Sequence, residues 1–229
     1  MQSLQAILFF DLDNTLVKIE NSHHFFDNII VEVFNEYCIP PPSKEERDQL
    51  WRNSDYKLLL KSWNFPEPVI FWKSFDKLDL EYRKILFNQG QLTLFDDILP
   101  TLQKLTRFQG IYNILLTNSS WDITKFELDI FGMNPYFQKV LALGDTQDDC
   151  KPDPKRILEI IERLSFQYKF DRNQVYIIGD SLFDISAGKN ANIRSILIER
   201  REKIRKHWVN QPDYIIENMD QLFSILHLA

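Results

Sequence analysis

The chain has 229 residues, 44% of them hydrophobic and 14% aromatic, enough for one core of ordinary size or a core domain carrying a smaller insert. Its 27 basic and 33 acidic residues leave a net charge of −6, without the basic surplus of a nucleic-acid binder, so an anionic ligand needs local positive charge such as a metal ion. Cys38 and Cys150 are too far apart for a disulfide framework or a zinc site, which favours a reducing, cytoplasmic setting, and no apolar stretch approaches the roughly 20 residues of a membrane span.

The first apolar run, Ala6–Phe10, is interrupted by Asp11 and Asp13 and has no basic leader, so it reads as a buried strand and not as a signal peptide. From about Lys18 to Gln91 the chain is helical in pattern, with Phe25, Phe26, Ile29, Ile30, Val33 and Phe34 on one face. Pro40, Pro41 and Pro42 are expected to end that helix, Ser43 with Glu46 to form a capping box, and Pro66 and Pro68 to precede a further helix. Trp51, Arg52, Trp63 and Trp72 lie in this segment, where aromatics more often build a small core than touch a ligand. His23 and His24 read as solvent-facing at a helix start.

Beyond Gln91 the rhythm changes to strands alternating with helices. Strands are expected at Ile111–Leu116, Val175–Ile178 and Arg194–Ile198, with shorter ones at Lys139–Leu143 and Tyr214–Ile216. Helical spacing recurs before Gly110, before Gly132 and after Pro154, and Met219–Leu226 closes the chain as a helix. Such alternation requires long crossovers and predicts an α/β fold, a Rossmann-like parallel sheet with helices on both faces. The run Arg200, Arg201, Lys203, Arg205 and Lys206 is interleaved with Glu199 and Glu202 and reads as a solvated segment.

In open parallel sheets ligands bind beyond the carboxyl ends of the strands. Those ends carry Asp11-Leu12-Asp13-Asn14-Thr15, Thr117-Asn118 and Gly179-Asp180-Ser181, with Asp184 four residues after Asp180 and Lys151 before the Pro154 helix. Each residue alone is an ordinary turn former, cap or solvated lysine. Together they fall, in order, on successive loops of one expected sheet edge. Acids gathered there repel one another unless a hard cation joins them, and Mg2+ suits carboxylates, carbonyls and substrate phosphate.

This ordered set resembles the haloacid dehalogenase-like hydrolases: Asp-x-Asp-x-Thr after the first strand, a Ser or Thr after the second, a Lys before a helix and a late acidic pair. The resemblance implies an α/β core formed by residues 1–17 and 92–229 and a helical cap domain over residues 18–91. It further implies a Mg2+-dependent phosphatase in which Asp11 is the nucleophile, Asp13 the acid and base, and Thr117, Asn118 and Lys151 the phosphate-binding groups. By the same resemblance Asp11, the Asp13 carbonyl and Asp180 hold the metal, and Asp184 supports them. An aspartate at position 13 favours phosphoryl transfer over dehalogenation, because a halide leaving group needs no proton. The expected partner is a small phosphorylated metabolite, with no nucleic acid and no membrane. A phosphomutase, and a non-catalytic binding protein on the same fold, are the alternative readings.

Overall fold

The computed structural model describes residues 2–51, 55–200 and 208–228. Arg52 and the basic run from Arg201 to Lys206 lie outside them, so only Arg200 of that run is placed. In chain order the elements are β1 (Gln2–Ser3), β2 (Ala6–Phe10), β3 (Val17–Ile19), α1 (Ser22–Glu36), α2 (Lys44–Arg47), α3 (Tyr56–Ser62), α4 (Pro68–Asn88), β4 (Leu92–Leu94) and α5 (Ile98–Leu105). There follow β5 (Ile111–Thr117), α6 (Trp121–Ile130), β6 (Lys139–Ala142), α7 (Lys155–Ser165), β7 (Tyr168–Lys169), β8 (Val175–Gly179), α8 (Leu182–Asn190), β9 (Arg194–Ile198), β10 (Tyr214–Ile216) and α9 (Leu222–Ile225).

Six strands form one parallel sheet in the order β10-β9-β8-β2-β5-β6. The α/β fold expected from the alternation is the one observed. All five residues of β2 are buried, and they feed two separate cores. Ala6, Leu8 and Phe10 meet Ile98, Leu102 and Leu105 of α5 and Leu222 of α9, whereas Ile7 and Phe9 meet Ile157, Ile160 and Ile161 of α7 and Ala187 of α8. Burial on both faces is why this strand reads as an unbroken apolar run. The chain proceeds outward from β2 through β5 to β6, then returns to pair β8 on the other side of β2. The order therefore reverses between β2 and β8, and the loops after these two strands flank the crevice.

A short antiparallel pair, β3 with β4, brackets the helical segment and brings its two ends together. Within it, Ile29, Ile30, Val33, Phe34, Leu60, Phe65, Phe71 and Phe75 form a third core. Trp63 packs against Phe34 at 6.1 Å between ring centroids and Trp72 against Phe75 at 5.4 Å, so these tryptophans belong to that core. Helix α4 begins at Pro68, in the first turn where proline is tolerated, and its far end meets α6 through Phe87, 6.3 Å from Phe126 and 5.8 Å from Phe131.

Two expectations need correction. Helix α1 stops at Glu36 and not at the prolines, because Cys38 takes a left-handed conformation (φ 55°) that ends the helical path first. The closing helix is broken into a 3-10 turn, Met219–Gln221, capped by Asn218, followed by the single turn of α9. The Ser43–Glu46 capping box forms as expected.

Phe34 lies at the centre of the helical unit, fully buried among Trp63, Phe65 and Phe71. Phe34→Ala is expected to cost about 3–5 kcal/mol, read as a lower urea midpoint. A midpoint unchanged from wild type would show that this cluster does not stabilise the unit.

Candidate active site

The loop after β2 holds its two carboxylates on a rigid backbone. Leu12 is fully buried, and its carbonyl accepts from the amides of Thr15, Leu16 and Val17 at 3.3, 2.9 and 3.0 Å. Asn14 takes the left-handed conformation (φ 56°) that asparagine tolerates better than most residues, so the chain reverses at once. Asp11 and Asp13, on either side of Leu12, enter different surroundings.

Asp11 is buried at the switch point. Its Oδ1 accepts from Lys151 Nζ at 2.5 Å and its Oδ2 from the Thr15 hydroxyl at 3.2 Å. Lys151, 5% exposed, also donates to Asp184 Oδ1 at 2.6 Å. The other Asp184 oxygen accepts from the amide and hydroxyl of Ser181 at 3.0 and 2.5 Å, within the capping box that opens α8. Each of Asp11, Asp180 and Asp184 offers a carboxylate oxygen, and these three oxygens lie within 4.8 Å of one another. Burial, followed by the Asp184 charge, pushes Asp11 up to about 8 against the lowering effect of Lys151. For Lys151, burial works to lower the pKa, but the facing Asp11 and Asp184 charges outweigh it and hold the amine well above its ordinary value.

Gly179 makes this packing possible. A Cβ at that position would come within 2.1 Å of the Asp184 carboxyl carbon, so only glycine lets the end of β8 lie beneath that carboxylate. Thr117 is buried at the end of β5, where its hydroxyl accepts from the Ser119 amide at 3.1 Å. The Asn118 side chain is committed to the Lys151 backbone. Its Nδ2 donates to the Lys151 carbonyl at 3.0 Å and its Oδ1 accepts from the Lys151 amide at 2.8 Å, which fixes the loop that carries the ammonium.

Asp13 turns away from this group. Its two oxygens face the Arg83 fork at 2.5 and 2.8 Å, and Oδ2 also accepts from the Ser119 hydroxyl at 3.0 Å. Arg83, from α4, is fully buried and also pairs with Asp79 at 2.7 Å and with Glu127 of α6 at 2.5 Å. Burial tends to raise Asp13, but the Arg83 charge and hydrogen bonds, aided by Ser119, hold its carboxyl below the ordinary value. Glu127 is pushed the other way, up to about 8, by burial that outweighs Arg83 and by the Asp13 charge. Two turns of α4 before Arg83, burial and then the neighbouring Asp79 and Asp145 charges push Asp76 up to about 8.

The structure thus brings Asp11, Lys151, Asp180 and Asp184 into one cluster, with Thr117 at the end of β5 and Asn118 in the loop that follows it. Sequence reasoning missed Arg83, Asp79, Glu127 and Ser119. A signal was present in Asp79 and Arg83, an ion pair at i, i+4 spacing, but such pairs usually mark a solvated helix face.

The model of the haloacid dehalogenase-like hydrolases matches residues 8–198. The chain belongs to this family. A relative in Bacillus pumilus, named pyrophosphatase PpaX, is 24% identical over 95% of this chain and 94% of its own. A protein of Caldanaerobacter subterraneus subsp. tengcongensis is 30% identical over 135 residues, so that match spans only 57% of each chain. Among solved structures, one from Lactobacillus plantarum superposes with a TM-score of 0.71 at 16% identity, covering 98% of this chain and all of that one. The Bacillus subtilis HAD-hydrolase YfnB, bound to magnesium, gives a TM-score of 0.60 at 20% identity with both chains fully covered.

Two outcomes test the electrostatics and the packing. The folded Asp76 carboxyl keeps its proton up to about pH 8, whereas the unfolded chain releases it near 3.8, so stability falls as pH rises between these values. Asp76→Asn is expected to flatten that decline in urea denaturation and to be more stable than wild type at pH 8; parallel profiles would refute this. Gly179→Ala is expected to displace Asp184 and to cost about 1–3 kcal/mol, measured as a fall in thermal midpoint.

Proposed function

We propose that this protein is a Mg2+-dependent phosphatase that hydrolyses a small phosphorylated metabolite through an aspartyl-phosphate on Asp11. The observation that carries the reading is the meeting of Asp11, Asp180 and Asp184 oxygens within 4.8 Å, with the buried Lys151 ammonium 2.5 Å from Asp11. An all-oxygen donor set suits a hard cation, and the magnesium in the YfnB structure supports the same choice. Asp11, the Asp13 carbonyl and Asp180 would hold the ion, and Asp184, whose two oxygens already accept from Lys151 and Ser181, would orient the others. When bound, magnesium supplies positive charge that offsets the repulsion between Asp11 and an approaching phosphate.

In the first step an Asp11 oxygen attacks phosphorus in line. The Asp11–phosphorus bond forms as the bond to the leaving oxygen breaks, and Asp13 gives that oxygen its proton. In the second step water attacks phosphorus, Asp13 takes the water proton, and Asp11 leaves with phosphate released. The Arg83 pairing favours the Asp13 carboxylate, the form the second step requires. Lys151 neutralises charge on the non-bridging oxygens, and Thr117 with the Asn118 amide hydrogen-bonds them. In this reading residues 18–91 form a cap over residues 1–17 and 92–229, and select the leaving group.

The name of the Bacillus pumilus relative places inorganic pyrophosphate beside sugar phosphates, phosphoglycolate and nucleoside monophosphates in the test panel. Phosphate release is expected with magnesium, and is expected to vanish with chelator or with Asp11→Asn. Turnover surviving in Asp11→Asn would remove Asp11 as the nucleophile.

A further inference from the structure

A guanidinium has five N–H donors, and in Arg83 each has its own acceptor. Nε donates to Asp79 Oδ1 at 2.7 Å, Nη1 to Asp13 Oδ1 and Glu127 Oε1 at 2.5 Å each, and Nη2 to Asp13 Oδ2 and Asp79 Oδ2 at 2.8 and 3.2 Å. The side chain is fully buried, and the Phe26 ring centroid lies 5.8 Å from Cζ. Arg83 thus has no donor left for a substrate phosphate, and its plane is set by three carboxylates from three elements: the loop after β2, α4 and α6. The Asp13 carboxylate is bound in that plane. Its Oδ2 accepts twice, from Arg83 and from Ser119 Oγ at 3.0 Å, whereas Oδ1 accepts once and keeps a lone pair.

We propose that Arg83, a residue of the helical segment, is a positioning residue that fixes the Asp13 carboxylate so that Oδ1 is the oxygen exchanging a proton with the leaving group and then with water. The inference rests on the phosphatase reading and concerns only how Asp13 is aimed. Arg83 touches neither substrate nor metal and acts through Asp13 alone. A point charge does not reproduce a fork, so lysine at this position keeps the positive charge facing Asp79 and Glu127 but releases the plane of Asp13.

The experiment compares kcat/KM, which reads phosphoryl transfer to Asp11, for an alkyl phosphate and for p-nitrophenyl phosphate in the full chain with magnesium. The alkyl leaving group needs the Asp13 proton and the nitrophenolate does not. R83K is expected to lower kcat/KM for the alkyl ester about tenfold or more, and for the aryl ester by less than about threefold. In the Asp13→Asn background the same substitution is expected to add no further loss. Ser119→Ala removes the second bond to Oδ2 and leaves Arg83 with all its ion pairs, and is expected to move the alkyl-to-aryl ratio in the same direction by a smaller factor. This second variant decides the matter if R83K does not fold. Equal losses on both esters, or a full R83K loss in Asp13→Asn, would mean that Arg83 only fastens α4 to the core, and the inference fails. That result in an enzyme that Asp11→Asn inactivates leaves the phosphatase reading standing; a wild type without phosphatase activity removes both.

Discussion

Carboxylates taken out of water beside one another stay ionised only if positive charge is placed among them, and this requirement organises the crevice above β2 and β8. The protein meets it twice within three residues of chain. Lys151 stands between Asp11 and Asp184, and Arg83 stands among Asp13, Asp79 and Glu127. In both clusters the carboxylates outnumber the cation, and burial, with the charge of a neighbouring carboxylate behind it, pushes Asp11 and Glu127 up to about 8. The Lys151 cluster adjoins Asp180, so its deficit can be made good by a divalent ion. The Arg83 cluster has Ser119 and no second cation in ion-pair contact among the described residues, and one Glu127 oxygen lacks a hydrogen-bond partner.

That difference is consistent with the different roles proposed for the two aspartates of the first loop. Asp11 sits where extra positive charge is wanted, which suits a group that must meet a phosphate. Asp13 is tied to a cation already saturated with partners, which suits a group whose orientation matters more than its charge balance. The buried Leu12 between them makes the separation mechanical: with its carbonyl holding three amides, the loop cannot slide one aspartate into the place of the other.

The core and its strand-end acids were legible because they obey rules with short range. Strands buried on both faces are continuous apolar runs, so Ala6–Phe10, Val175–Ile178 and Arg194–Ile198 announce themselves, and the candidate functional groups follow at their ends. What escaped depends on contacts distant in sequence. Arg83 is 70 residues from Asp13 and 44 from Glu127, and nothing on α4 itself distinguishes a saturated guanidinium from a solvated one. The β3–β4 pair was missed because strands of three residues are too short for alternation to show. The end of α1 was misplaced because a left-handed Cys38 stops a helix as firmly as a proline, yet leaves no mark in composition.

The placement of Arg83 near the carboxyl end of α4 gives the helical segment a defined relation to the proposed chemistry. Helix α4 leads directly into β4, whose pairing with β3 joins the segment to the loop bearing both aspartates, and Phe87 packs on α6 one turn beyond Arg83. A shift of the segment about the β3–β4 pair would therefore strain the bonds of Arg83 to Asp13 and Glu127 before it disturbed any contact of Asp11, whose partners Lys151 and Thr15 both belong to the core. In the proposed mechanism the geometry of Asp11 as nucleophile is thereby insulated from such motion, while that of Asp13 as proton donor is exposed to it. On the proposed reading, the position of the helical segment is coupled to acid–base chemistry at Asp13, and the end of the crevice at Asp11 and Lys151 stays preorganised.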